Sequence, residues 1–177
     1  IEPTQRDAWV YEIELLQSEL KGLDGHVYFE FSIPRMGSRI DVVLLLQHSI
    51  YVIEFKVGAR AFDKAARNQV WDYALDLKNF HEGSHDLTII PILIATEATS
   101  HWPPSVRLAA DRVAEPLNVA SAELRSTIEA INSSLDSTIS VRDGWAKAPY
   151  KPTPTIIEAA RALFANHAVE AIARHDA

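Results

Sequence analysis

Between residues 5 and 20, Trp9, Ile13, Leu16 and Leu20 recur at spacings of four, three and four, one face of an amphipathic helix that Gly22 and Gly25 end. Val27, Phe29, Phe31 and Ile33 then alternate with Tyr28, Glu30 and Ser32, which predicts a strand with one buried face, closed by Pro34. Two β-branched and aliphatic runs follow, 39–47 and 50–56, joined by His48-Ser49, so short a connection that an antiparallel hairpin is the expected pairing. Helical spacing returns over 62–80 through Phe62, Ala66, Gln69, Tyr73 and Leu77, with Gly83 at the terminating position. The run 88–96 is strongly apolar, and its Pro91, which has no N–H for a ladder, predicts an edge strand or a bulge.

Past the loop at Trp102-Pro103-Pro104, 117–120 reads as a short strand and 122–135 as a third amphipathic helix, carried by Leu124, Ile128, Ile131 and Leu135. Three prolines in 149–154 predict an extended linker, and Thr155 with Glu158 forms a capping box that opens a last helix from Ile156. The expected fold is α/β with an αβββαβ core. It has a central mixed sheet flanked by helices over 1–148 and additional C-terminal helices, and 149–177 leads towards a further domain.

At 177 residues the chain has the length of one domain, and no apolar run approaches the roughly 20 residues that a membrane helix needs. The absence of cysteine removes disulfide frameworks and thiolate metal sites and agrees with a cytoplasmic setting. The sequence opens on Ile1 without a basic-then-apolar leader and stops inside a restarted helical pattern, so it reads as a piece of a longer protein. A net charge of −7 opposes phosphate binding, but the charge is uneven. Residues 1–34 hold 2 basic against 7 acidic groups, 35–67 hold 6 against 3, and 68–177 hold 9 against 14. One basic island, with Arg39, Arg60, Lys64 and Arg67, therefore lies in an acidic chain.

Inside that island, strand alternation places Ile50, Val52, Glu54 and Lys56 on one face and Tyr51, Ile53 and Phe55 on the other. Two charges at the end of an apolar strand are costly unless compensated. A two-residue loop at His48-Ser49 puts Asp41 opposite Lys56 and diagonal to Glu54, and any even loop length preserves that facing. Two carboxylates and one ammonium then converge. Such a group is either a cross-strand salt bridge or a site for Mg²⁺, which takes one or two carboxylates and completes its shell with water and substrate phosphate. A hard cation there acidifies a bound water, while Lys56 steadies the developing negative charge of phosphodiester hydrolysis.

These residues resemble the PD-(D/E)XK nucleases, the restriction-endonuclease-like family whose αβββαβ core carries an Asp before a Glu-x-Lys strand. The matching segments are Gly37-Ser38-Arg39-Ile40-Asp41, with Ile40 where a Pro usually stands, and Glu54-Phe55-Lys56. Gln69-Val70-Trp71-Asp72-Tyr73 resembles the Gln-x-x-x-Tyr motif of the RecB-like subgroup, and 29–95 is similar to the N-terminal domain of certain bacterial helicase-like ATPases. The resemblance implies that Asp41 and Glu54 ligate Mg²⁺ or Mn²⁺, that Lys56 is the catalytic lysine, and that Gln69 and Tyr73 support the site. It further implies DNA as substrate and an ATPase/helicase domain after residue 149. The family often adds a carboxylate from the first helix. Glu12 and Glu19 flank the apolar face and Glu14 points away, so Glu12 is the candidate, a solvated boundary glutamate being the other reading. Arg39, Arg60, Lys64 and Arg67, with Tyr73, are candidates for nucleic-acid contact, and Arg39 could instead partner Glu30.

Two rivals stand beside this reading. One is a nuclease fold without activity, kept for DNA binding or domain docking. The other is a zinc protease, because His81-Glu82-Gly83-Ser84-His85 spells H-E-x-x-H and His101 could add a ligand. That motif needs a helix, and Gly83-Ser84 falls where the preceding helix ends, so a solvated loop is expected instead. There is no GxxxxGK[ST] phosphate loop, and Trp9 and Trp71, on helices, are expected to pack rather than stack on bases.

Overall fold

A computed structural model describes residues 4–100, 102–135 and 138–175, with side chains of the last helix described to residue 165. Helix α1 (Gln5–Glu19) is opened by a capping box between Thr4 and Asp7. Strands β1 (His26–Ile33), β2 (Ser38–Leu45) and β3 (Ser49–Lys56) form an antiparallel meander. Helix α2 (Lys64–Phe80), capped by Asp63 through the Ala66 N–H, then returns the chain to β4 (Thr88–Ala95), parallel to β3. Strand β5 (Leu117–Ala120) extends the parallel half, and helices α3 (Leu124–Ser134) and α4 (Pro154–His175) follow. The protein is thus α/β, with one five-stranded mixed open sheet of order β1-β2-β3-β4-β5.

Both faces of the sheet are covered. Val42, Leu44, Tyr51, Ile53, Ile92 and Ile94 pack with Leu16 of α1 and Leu124, Ile128 and Ile131 of α3. Val43, Leu45, Ile50, Val52 and Leu93 pack with Val70, Tyr73, Ala74 and Leu77 of α2. The buried β-branched runs of β3 and β4 are what a doubly covered sheet requires.

Four expectations are corrected. The last β2–β3 pair is Leu45–Ile50, which leaves four residues between the paired ends rather than two, with Leu46 N–H bonding the Ser49 carbonyl at 3.0 Å, so the register shifts by two and Val42 faces Ile53. Pro91 lies on an inner strand, opposite Val52 of β3. Its missing N–H is tolerated because pairing on the other side of β4 lapses between the bridge at Val113 and the start of β5 at Leu117. The last helix begins at Pro154, and its cap is Thr153, whose hydroxyl accepts the Ile156 N–H at 3.3 Å, rather than Thr155.

The fourth correction concerns alternation in β1. Glu30, opposite Asp41, has φ +51°, a left-handed conformation rare for a glutamate. Side-chain facing is reset there. Tyr28 packs towards α2, then Phe31 and Ile33 do so too, while Val27 and Phe29 are left exposed. Helix α1 shows a matching departure, since Leu16 is buried but Trp9 and Ile13 of the same apolar face remain 45% and 41% exposed.

Candidate active site

Where the β2–β3 ladder ends at Val42–Ile53, the next facing residues are Asp41 and Glu54. Their carboxylates replace the missing ladder. Glu54 Oε1 accepts the Asp41 N–H at 3.0 Å, and Asp41 Oδ2 accepts the Phe55 N–H at 3.0 Å. Each acid is thereby fixed by the other's strand and keeps one oxygen outside these bonds. The expected pairing of Asp41 opposite Lys56 is replaced by Asp41 opposite Glu54, which brings the two acids closer than expected. Lys56 is exposed one pleat beyond Glu54, and among the described residues it makes no ion pair within 4.0 Å. Its charge still reaches Glu54.

The electrostatics follow from burial without a clamping cation. Burial, then the Asp41 charge, drives the Glu54 carboxyl well above the ordinary carboxylate range, against the opposing pull of the Asp41 amide and the Lys56 ammonium. Glu12, on the buried flank of α1, is pushed up to about 7 by burial first, then by Asp41 and Glu30. The selected α1 carboxylate therefore lies within the field of Asp41, whereas Glu19 accepts the Arg125 N–H at 3.0 Å and serves the α1–α3 contact. On the α2 side Gln69 Nε2 donates to the Tyr73 hydroxyl at 2.9 Å. Burial and then the Glu54 charge raise the Tyr73 phenol, which places it within reach of both acids.

Among the described residues, no three His, Asp or Glu side chains stand in metal-holding geometry. Two carboxylates suffice for Mg²⁺, whose remaining ligands are water and phosphate, and a pair of repelling acids with no ion-paired lysine is a donor set suited to a hard cation. No protein-family model, curated protein or solved structure matches the chain.

The basic island is dispersed. Arg39, Arg60 and Lys64 are exposed, but Arg67 donates to Asn118 Oδ1 at 2.5 Å and ties α2 to β5. Arg39 faces Ser32 rather than pairing with Glu30. The turn before Arg39 is fixed by Arg35, which bonds Asp76 at 3.0 Å and stacks 3.9 Å over the Phe80 ring.

His81 to His85 form no helix, since α2 ends at Phe80 and a 3-10 turn takes Glu82–Ser84. Nor is the segment a solvated loop. His81 is fully buried against Trp145, Tyr150 and Phe31 and hydrogen-bonded to Ser84 Oγ at 2.7 Å, with its imidazole pushed down to about 4 mainly by burial. His101 lies outside the described residues.

One part of the site was missed by sequence reasoning. Trp9, Glu12, Ile13, Phe29, Glu30 and Asp41 line a cavity of about 290 Å³ beside the acids. A larger cavity, about 470 Å³, lies at the His26–Leu45 end of the hairpin, away from them. Strand alternation pointed Phe29 inwards, and only the unusual backbone at Glu30 turns it out.

Proposed function

We propose that the chain is a divalent-metal-dependent nuclease domain of the restriction-endonuclease-like class, hydrolysing DNA phosphodiesters. The observation that carries the reading is the facing of Asp41 and Glu54, cross-fixed at 3.0 Å, with Lys56 one pleat away and not ion-paired to either. Asp41 and Glu54 would hold Mg²⁺ or Mn²⁺, with Glu12 as a further carboxylate in the same field. When bound, the ion supplies an acidified water and neutralises phosphate charge. Lys56, unclamped, is free to hold the nucleophile or the pentacovalent charge. Tyr73, held by Gln69 on α2, sets its phenol in the field of both acids, and the exposed Arg39, Arg60 and Lys64 are suited to backbone phosphates. An ATPase/helicase partner domain belongs to the same proposal.

The test is incubation of the purified chain with labelled linear and circular DNA and with RNA, with and without Mg²⁺ or Mn²⁺. Metal-dependent cleavage of DNA that survives a zinc-selective chelator supports the reading. Specific DNA binding without cleavage would favour an inactive nuclease-fold module instead.

A further inference from the structure

The apolar face of α1 runs past the body it packs on, and β1 turns Phe29 out beside it. Trp9, Ile13 and Phe29, each more than 40% exposed, are left around one cavity whose floor includes Asp41. Neither aromatic ring takes part in a ring–ring contact among the described residues. At about 290 Å³ the cavity sits at the lower edge of the roughly 300–1,000 Å³ of ligand pockets, room for one small planar group and too little for a helix or a folded partner. Its polar lining is Glu12, Glu30 and Asp41, so it repels a phosphate seated in it.

We propose that this cavity receives an unpaired nucleobase, stacked on Trp9 and Phe29, next to the phosphodiester to be cut, so that the substrate is single-stranded or frayed nucleic acid. The inference rests on the nuclease reading and names its substrate class. In a continuous duplex the bases are stacked on one another, and only phosphates and groove edges face a protein. An unpaired base alone offers a flat apolar face for the rings and polar edges for the carboxyls. Glu12, Glu30 and Asp41 line the cavity with carboxyl oxygens that can accept from the N–H edge of such a base. Because Asp41 borders both cavity and acid pair, the seated base and the reacting phosphate are neighbours along one strand.

The experiment uses the whole chain carrying Lys56→Met and a fluorescein-labelled dT oligomer, its RNA counterpart and a blunt duplex, each with Ca²⁺, read by anisotropy and by tryptophan quenching. The single strand is expected to bind tighter than the duplex. Trp9→Ala and Phe29→Ala should each weaken it about 5- to 100-fold while leaving duplex binding nearly unchanged, with Trp9→Phe restoring most of the loss. Both positions are surface residues, and unaltered circular dichroism melting of the variants is the folding control. Equal binding of strand and duplex, or Trp9→Ala and Phe29→Ala binding like their parent, overturns the inference. So does quenching by tetramethylammonium with none by the oligomers, which would assign the cavity to a cation. The nuclease reading is decided separately by cleavage with Lys56 intact. Cleavage of strand and duplex at one rate would sink this inference and spare that reading.

Discussion

Asp41 and Glu54 each perform two tasks, closing the end of the hairpin ladder and presenting a second carboxyl oxygen to the site, and substitutions can separate them. Asp41→Asn keeps an oxygen to accept the Phe55 N–H, so the fold should hold while Mn²⁺ affinity in calorimetry drops at least about tenfold and cleavage is lost. Lys56→Met keeps the aliphatic stem, so metal should bind as before while single-turnover cleavage slows by ~10²-fold or more. Parent-like cleavage by Lys56→Met would return these residues to a structural cluster. Proton linkage provides a check that needs no DNA. Glu12 titrates near 4.5 in the unfolded chain and near 7 in the fold, and Glu54 is raised as well. Through that window the folded state holds protons the unfolded chain has lost, so stability falls as pH rises from about 4.5 to 7. Mn²⁺ favours the ionised carboxyls. It should therefore raise Tm at pH 8 and have little effect near pH 5, and an equal shift at both values would place the ion elsewhere.

At the scale of elements, the antiparallel meander, the crossover helix and the parallel return were legible because β3 and β4 are unbroken apolar runs and α2 has a clean helical face. What escaped had local causes. The run 42–46 stays apolar past the strand end, so Leu46 read as strand when its N–H in fact closes the turn on Ser49, which moved Asp41 from Lys56 to Glu54. The acid–lysine group survived that error because an even shift preserves facing. The exposure of Phe29 and Trp9 was not legible, since it depends on one backbone angle at Glu30 and on how far α1 reaches across the sheet. That angle can be tested by comparing two substitutions that both delete the carboxylate. Glu30→Gly suits φ +51° and Glu30→Val does not, so urea unfolding should find the valine variant less stable by about 1–2 kcal/mol. Equal midpoints would mean that β1 relaxes to ordinary alternation, and Phe29 would then turn inward in both.

For the molecule as a whole, the expected boundary at 148 cuts through contacts that bind the proline-rich segment to the domain. The Glu82 N–H donates to the Pro149 carbonyl at 3.0 Å, Lys151 N–H to the Phe80 carbonyl at 2.6 Å and Thr153 N–H to the Asn79 carbonyl at 2.9 Å. The last two close carbonyls in the final turn of α2 that its own helix leaves open. Tyr150 meanwhile packs 5.5 Å from the His81 ring, inside the cluster that holds Trp145. Residues 149–153 thus act as a strap over the end of α2, and α2 is the element that carries Gln69 and Tyr73 to the acids. A chain ending at Ala148 should lose on the order of 2–4 kcal/mol of stability relative to one ending at Thr153, from three backbone hydrogen bonds, the bond between the His85 ring and the Lys151 carbonyl, and one half-buried ring. The two lengths differ by five residues and keep every candidate site side chain. If they melt together, the strap contributes nothing and 148 is a true edge. If the shorter chain melts earlier but binds Mn²⁺ with unchanged affinity once folded, the strap holds α2 in place without shaping the acid pair, which β2 and β3 fix by themselves.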